Sequence, residues 1–455
     1  MTSRPNILFI AADDLNGWIG ALGRHPQVRT PNIDRLARRG TMFSKAYCNA
    51  PYCNSSRMAV FTGKLPATSG IYHDEPYWTL NPRPPTYIER LRAAGYHCEG
   101  AGKVFHGVFD YPGAGRNRSR EAVWYEKHAH EQIWDRFHSP VSEPLPPARP
   151  LNSMFDFSRP GSVDAWNWHF DWGILPDEQE AQMPDSITAD RLTAFLADPP
   201  AGKPFFAAAG FYKPHLPWYV PKRFFDLYPL DEVVLPVILE TDLDDVPDIA
   251  RRWALTPNDH ENVTKAGQWR HAVQGYLAAI SYSDAQIGRL LDALDASPAH
   301  RDTLVVLWGD NGFHLGEKLH WRKFVLWEEA TLVPLVMSGP GLGARRVDTP
   351  VGLVDLFPTL FELCGLPHLP DTDGRSLLPL VTGAADARPA VTTWHKGNHS
   401  IRFGSWRYTR YEDGSEELYD QACDPLEWTN LAGQAAHSGT LEQGRALLHA
   451  AVPAG

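Results

Sequence analysis

Four apolar runs constrain the fold of this chain more than any other feature: 6–12 (NILFIAA), 97–103 (HCEGAGK, the weakest), 204–211 (PFFAAAGF) and 303–309 (TLVVLWG). Their length and continuity suit strands buried on both faces. Helical patterns lie between them. The stretch 31–40 (PNIDRLARRG) has proline near its start and glycine at its end, 86–95 repeats that ending, and 262–296 carries a long amphipathic pattern. Strand and helix in alternation predict an α/β fold. In such sheets the ligand site lies beyond the carboxyl ends of the strands. The polar residues that follow each run are therefore the candidates: Asp13 and Asp14, Lys103, His215, and Asp310 with Asn311.

The pattern loosens over about 107–180 into a region rich in Pro, Trp, Arg and His, which predicts long loops over the scaffold. Trp166, Trp168 and Trp172 in this region are candidates to stack on a sugar ring, or to pack the loop. After 373–383 the texture changes to short aromatic strands, AVTTWHKG, SIRFGSWRYTRYED and EELYDQ, with Asp413 and Gly414 as a hairpin turn. We therefore expect a main unit over 1–375 and a smaller antiparallel subdomain with a terminal helix over 376–455.

A net charge of −11 argues against nucleic acid as a partner, because phosphate binding needs a basic surface. No window approaches the roughly 18 apolar residues of a membrane span. The apolar run at the amino terminus is too short for a signal-peptide core and ends in two aspartates. Five scattered cysteines without CxxC spacing point to a reducing compartment, so a cytoplasmic location is expected, with homo-oligomerisation left open.

Asp13, Asp14, Asp310 and Asn311 offer only oxygen ligands, which suits a hard divalent cation such as calcium or magnesium. Either pair alone would read as cap or turn residues; two pairs at one sheet edge favour a metal site. Lys103, His106, His215 and Lys323 would surround the same edge with cationic donors, as a tetrahedral anion requires. Cys53 could supply the nucleophile, since SRMAVFTG after it reads as a short helix whose amino terminus favours anions, with Arg57 one turn on.

These residues resemble the formylglycine-dependent sulfatases of the alkaline phosphatase superfamily, whose signature is Cys-X-Pro-X-Arg before a short helix ending in Thr-Gly. Here it reads Cys53-Asn54-Ser55-Ser56-Arg57, ending Thr62-Gly63. The likeness runs along the chain through NILFIAADDLNGW, TPNIDRLARRG, GKVFH, KPHLPW, GDNGFHLGEKLHWRKF and ELYDQACDP, and is similar above all to the iduronate-2-sulfatase branch. It implies an alkaline phosphatase-like, mostly parallel sheet flanked by helices, and hydrolysis of a sulfate ester of a small molecule or saccharide. It also implies that Cys53 is converted by a formylglycine-generating enzyme. Asp13, Asp14, Asp310, Asn311 and residue 53 would hold one calcium, with magnesium or manganese as alternatives. Arg57 would steady the hydrated aldehyde, Lys103 and Lys323 would bind sulfate, His215 would protonate the leaving alcohol, and His106 would act as base. Asn311 stands where many members have histidine, and Ser55 where the maturation enzymes read proline. A phosphodiesterase or phosphonate monoester hydrolase, and a non-catalytic homologue not matured at Cys53, are the alternatives. Cys53→Ala and Asp310→Ala are both expected to abolish turnover with the fold intact.

Overall fold

The computed structural model describes residues 4–77, 80, 82–106, 133–140, 143–146, 170–367, 371–384 and 388–452. Its centre is a nine-stranded sheet built from β1 (Asn6–Ala12), β2 (Thr41–Tyr47), β3 (His97–Gly102), β4 (Arg136–His138), β5 (Phe205–Phe211), β6 (Thr303–Gly309), β7 (Leu332–Ser338), β8 (Arg345–Val347) and β9 (Val351–Gly352). The order is β8-β2-β7-β6-β1-β5-β3-β4, with β9 also on β2. The four apolar runs are the contiguous parallel strands β6, β1, β5 and β3, and β7 runs antiparallel to both of its neighbours.

The continuity of those runs has a packing cause. Leu8, Ile10 and Ala12 of β1 feed one buried cluster, and Ile7, Phe9 and Ala11 feed the cluster on the opposite face. Each face is roofed by helices. On the first, α7 (Trp269–Ala296) lies against α1 (Pro31–Arg39) and α4 (Pro184–Ala197); on the second lie α2 (Cys53–Thr62) and α3 (Tyr87–Ala93). Burying each such Leu, Ile or Phe contributes about 1.5–3 kcal/mol, so alternation has no place in these strands.

The expected helix over 262–296 is two helices, α6 (Asp259–Lys265) and α7, because Gly267 adopts φ +65 between them. Between α4 and α6 the chain forms a further short helix, α5 (Asp248–Ala254). The stretch SIRFGSWRYTRYED is likewise two strands, divided at Gly404 with φ +54. They belong to a four-stranded antiparallel sheet of β10 (Ala390–Thr393), β11 (His399–Phe403), β12 (Trp406–Arg410) and β13 (Glu416–Asp420), followed by α8 (Ser438–Ala451). Asp413 and Gly414, φ +85 at the glycine, turn the last hairpin as expected. Trp172 packs at 5.9 Å on Trp218 and is 3% exposed, so it is core and not a sugar platform; Trp166 and Trp168 lie outside the described residues.

Arg407 of β12 pins the small sheet to the segment that leads into β7. It is 1% exposed, donates to the Leu326 carbonyl at 2.9 Å and to Glu328, and lies 2.5 Å from Glu427. Burial pushes the Glu328 carboxyl up, but Arg402 and Arg407 outweigh it and hold the group at about 2. Removing one member strands buried carboxylates. Arg407→Met is expected to lower stability by about 3–5 kcal/mol, read from the urea unfolding midpoint at constant slope. Among the described residues, no helix is long and apolar enough to cross a membrane.

Candidate active site

Strand order brings the candidates together. Asp13 and Asp14 leave the end of β1 while Asp310 and Asn311 leave β6 beside it, where Ala12 is paired with Gly309. The Asp310 amide donates to the Ala12 carbonyl at 3.2 Å, and the Asp14 amide donates to Asp310 Oδ1 at 3.0 Å. Asp14 adopts φ +58, a left-handed conformation that aspartate tolerates better than most side chains.

From the other side, Lys103 follows β3 through Gly102 and lies against Gly210. A Cβ on Gly210 would meet the Lys103 carbonyl carbon at 2.0 Å, and one on Gly102 would meet the Gly210 carbonyl oxygen at 2.1 Å. This close approach explains Gly102, one of the two glycines that made 97–103 the weakest run; at the other, Gly100, a Cβ would meet the Phe137 and Trp134 rings at 2.7 and 2.9 Å. The approach at Gly102 lets the Lys103 ammonium reach the Asp13 carboxylate.

Cys53 is the first residue of α2, all ten of whose residues are buried. Its Sγ lies 3.2 Å from Asp13 Oδ1 and 2.7 Å from Lys323 Nζ. Lys323 Nζ also donates to Asp14 Oδ1 at 2.5 Å. Arg57, one helical turn on and 0% exposed, donates from Nε to Asp310 Oδ2 at 2.8 Å and from its terminal nitrogen to the Val104 carbonyl at 2.9 Å. The guanidinium thus ties the helix to the metal-type carboxylates and to the backbone beside Lys103. Ser56 Oγ adds a hydrogen bond to the Asp310 carbonyl at 2.5 Å.

His215 places Nε2 3.8 Å from Asp14 Oδ2, at the same centre. His106 stands further out, with Nε2 3.6 Å from Asp74 Oδ1. Asp74 in turn accepts the Tyr52 hydroxyl at 2.6 Å. Sequence reasoning missed Asp74 and Tyr52, which carry no periodicity or spacing signal. Burial, and Lys103 after it, push His106 down to about 3. Burial likewise lowers His215, against the pull of Asp13, so both imidazoles are neutral proton acceptors at neutral pH.

The donor set fits a hard cation. Oxygens of Asp13, Asp14 and Asp310 all lie within 4.8 Å of one another. Asn311 donates its Nδ2 to Asp14 Oδ1 at 2.7 Å and to the Gly312 carbonyl, and its Oδ1 is buried without a hydrogen-bond partner. A buried carbonyl oxygen left without a donor beside three carboxylates is the acceptor that a cation satisfies. The electrostatics agree. Burial raises Asp310 to about 7 with help from Asp13 and Asp14, and burial raises Asp14 against Lys323. Asp13 is also pushed up by burial, yet Lys103, His215, Arg57 and Lys323 together bring it well below the ordinary range. A positive ion among the three would relieve that crowding.

A family model described as Sulfatase matches residues 5–366. A sulfatase of Formosa agariphila is 38% identical over 98% of this chain and 86% of its own length. The choline-sulfatase of Rhizobium meliloti is 30% identical over 95% of this chain and 83% of its own, and the iduronate 2-sulfatase of Homo sapiens 30% identical over 84% and 67%. Among solved structures, a phosphonate monoester hydrolase of Agrobacterium radiobacter aligns with TM-score 0.76 at 22% identity, over 98% of this chain and 95% of that one.

Proposed function

Because the chain belongs to the sulfatase family, whose members hydrolyse sulfate esters, we propose that residue 53, converted from cysteine to formylglycine, is its nucleophile. The observation that carries this reading is the position of the Cys53 side chain, between Lys323 Nζ at 2.7 Å and Asp13 Oδ1 at 3.2 Å, at the start of a buried helix. An oxygen on that carbon would stand between the cation ligands and a lysine. The aldehyde would supply, once hydrated, one hydroxyl to attack sulfur and a second whose deprotonation releases sulfate.

The chain's own groups take the remaining roles. Asp13, Asp14, Asp310, Asn311 and residue 53 would hold one divalent cation, calcium by preference for oxygen donors, which would draw charge from the sulfate oxygens. Lys103 and Lys323 bind the sulfate, and Arg57 steadies the hydroxyls at residue 53 through its grip on Asp310. His215, neutral at rest, takes the proton of the attacking hydroxyl and passes it to the leaving alcohol oxygen, and His106, oriented by Asp74, accepts the proton whose loss releases sulfate. The substrate would be a small-molecule or saccharide sulfate ester. Five free cysteines, one of them the exposed Cys423, support the reducing cytoplasm as the compartment.

Phosphorus chemistry on the same scaffold is the second reading, and only likeness of fold favours it. Turnover of an aryl sulfate, a phosphodiester and a phosphonate monoester by calcium-loaded protein decides between the two. Preference for either phosphorus ester would replace the sulfatase reading.

Maturation turns on Ser55. It is the third residue of α2, where the backbone N–H precedes the first intrahelical bond, so proline fits the helix there. We expect Ser55→Pro to fold and to raise the fraction of formylglycine in a host whose maturation enzyme reads proline. Mass spectrometry of the tryptic peptide 46–57 measures it, with the buried Cys48 as an unmodified control in the same peptide. A fraction no higher than in the parent protein would remove Ser55 as the limiting feature.

A further inference from the structure

Beside the sulfate end of the site stands an array of rings drawn from five separate parts of the chain. Tyr52, immediately before Cys53, stacks on His73 at 4.0 Å and 17°, and lies 5.8 Å from Phe324 and 6.0 Å from Trp394. Trp394 continues to His395 at 4.1 Å, and His395 to Trp253 of α5 at 6.1 Å. The array begins at the chemistry: Lys323 Nζ is 6.0 Å from both the Tyr52 and Phe324 rings, and His106 is 5.7 Å from Tyr52.

Phe324 adopts φ +77, a region that bulky residues avoid, and His395 adopts φ +55, which histidine tolerates better; both deliver a ring to this array. Asn54, the second residue of the signature, donates to the carbonyls of His73 and Glu75 at 2.9 and 3.2 Å, which ties the His73 turn to the nucleophile's own helix. Tyr52 and Trp394, 4% exposed each, form the backing. Phe324, Trp253 and His73 are half-buried and His395 is exposed, so the outer layer is open to a ligand.

The geometry distinguishes among ligands. Neighbouring planes are inclined by 17° (Tyr52 to His73), 9° (His73 to His395), 34° (Phe324 to Trp394), 43° (Trp394 to His395), 46° (His73 to Trp394) and 52° (Trp253 to His395). Tyr52, His73 and His395 are layered, and Trp394 and Trp253 splay away from them; a splayed surface of this kind offers a face to a flat ligand, whereas enclosing a compact cation needs walls that face each other around it. Carboxylates stand close to these rings. Asp74 lies 3.2 Å from His73, and burial, outweighed by His73 and His106, leaves it ionised with a pKa of about 2. Glu75 and Glu412 act on His395, which burial holds below the ordinary imidazole value. An anionic alcohol would be repelled here.

We propose that this ring platform is the subsite for the alcohol half of the substrate, and that it selects an uncharged pyranose ring. The inference rests on the sulfatase reading for the identity of the other half. Two variants test it: His395→Gly, which removes the ring where glycine suits the backbone, and Trp253→Leu, whose melting temperature serves as the folding control. The matured, calcium-loaded enzyme should prefer galactose 6-sulfate to ethyl sulfate, choline sulfate and glucuronate 2-sulfate. Each variant should lower the ratio of kcat/KM for galactose 6-sulfate over ethyl sulfate about tenfold, chiefly through KM. A ratio that moves less than twofold in both, or a parent enzyme that prefers the choline or glucuronate ester, would overturn the subsite. Binding of methyl β-galactopyranoside, followed by saturation-transfer NMR, separates the two claims. Binding weakened by both variants in a protein that hydrolyses none of the sulfate esters would keep the platform and overturn the sulfatase reading. Sulfate ester hydrolysis with an unmoved ratio would do the reverse.

Discussion

Cys53→Ala is expected to lower kcat/KM for a sulfate ester on the order of 10⁵-fold, because it removes the group on which both halves of the proposed reaction depend. Stability should move little. The thiol is 1% exposed, but its partners keep others: Lys323 retains Asp14 at 2.5 Å, and Asp13 retains Lys103. Loss of one sulfur from a buried site costs on the order of 1 kcal/mol, within reach of a calorimetric comparison of the two proteins. Activity within a hundredfold of the parent would refute residue 53 as the nucleophile, whatever its state of modification.

The residues that were legible in the sequence share a physical cause. Strands covered on both faces must be apolar throughout, so β1, β5 and β6 announce themselves, and the polar residues after them have nowhere to lie but the sheet edge. β2 and β7 escaped because each breaks that rule. Lys45 interrupts β2, and Pro334 interrupts β7 at a point where the register slips between Val333 and Leu335. Proline lacks the N–H of a ladder and is tolerated only at such irregularities.

Lys323 and His106 became candidates as cationic donors for an anion and not through periodicity, since both lie in loops. The ring platform was legible in neither way. Its members come from the end of a loop, a turn, a second loop, a short helix and a distant hairpin, and only the docking of the small sheet brings Trp394 and His395 beside Tyr52. Arg407 performs that docking with a buried ion pair, and a single arginine in a strand gives no warning of what it will meet.

Asp310 carries the second large effect, and here the structure changes the expectation that alanine leaves the fold intact. Its carboxylate accepts from Arg57 Nε, the Asp14 amide and the Asn311 amide at 2.8 to 3.0 Å, all at buried positions. With alanine there, the nearest remaining carboxylate to the Arg57 guanidinium is Asp13, at 3.7 Å. Breaking a buried pair from one side costs about 3–5 kcal/mol, so Asp310→Ala should lose stability as well as activity, and its inactivity alone would prove nothing about the site. Asp310→Asn separates the two effects. The amide keeps an oxygen for Arg57 while removing one negative charge from the cation ligands. We expect a melting temperature near the parent's without added metal, kcat lowered on the order of 10²–10³-fold, and a smaller rise in melting temperature on adding calcium, since stabilisation by a ligand scales with the logarithm of its concentration over Kd. A calcium-induced rise as large as the parent's would remove Asp310 from the cation ligands. If Asp310→Ala proved as stable as Asp310→Asn, Arg57 would not depend on Asp310 for its charge, and the tie between the nucleophile's helix and the metal-type carboxylates would fall with it.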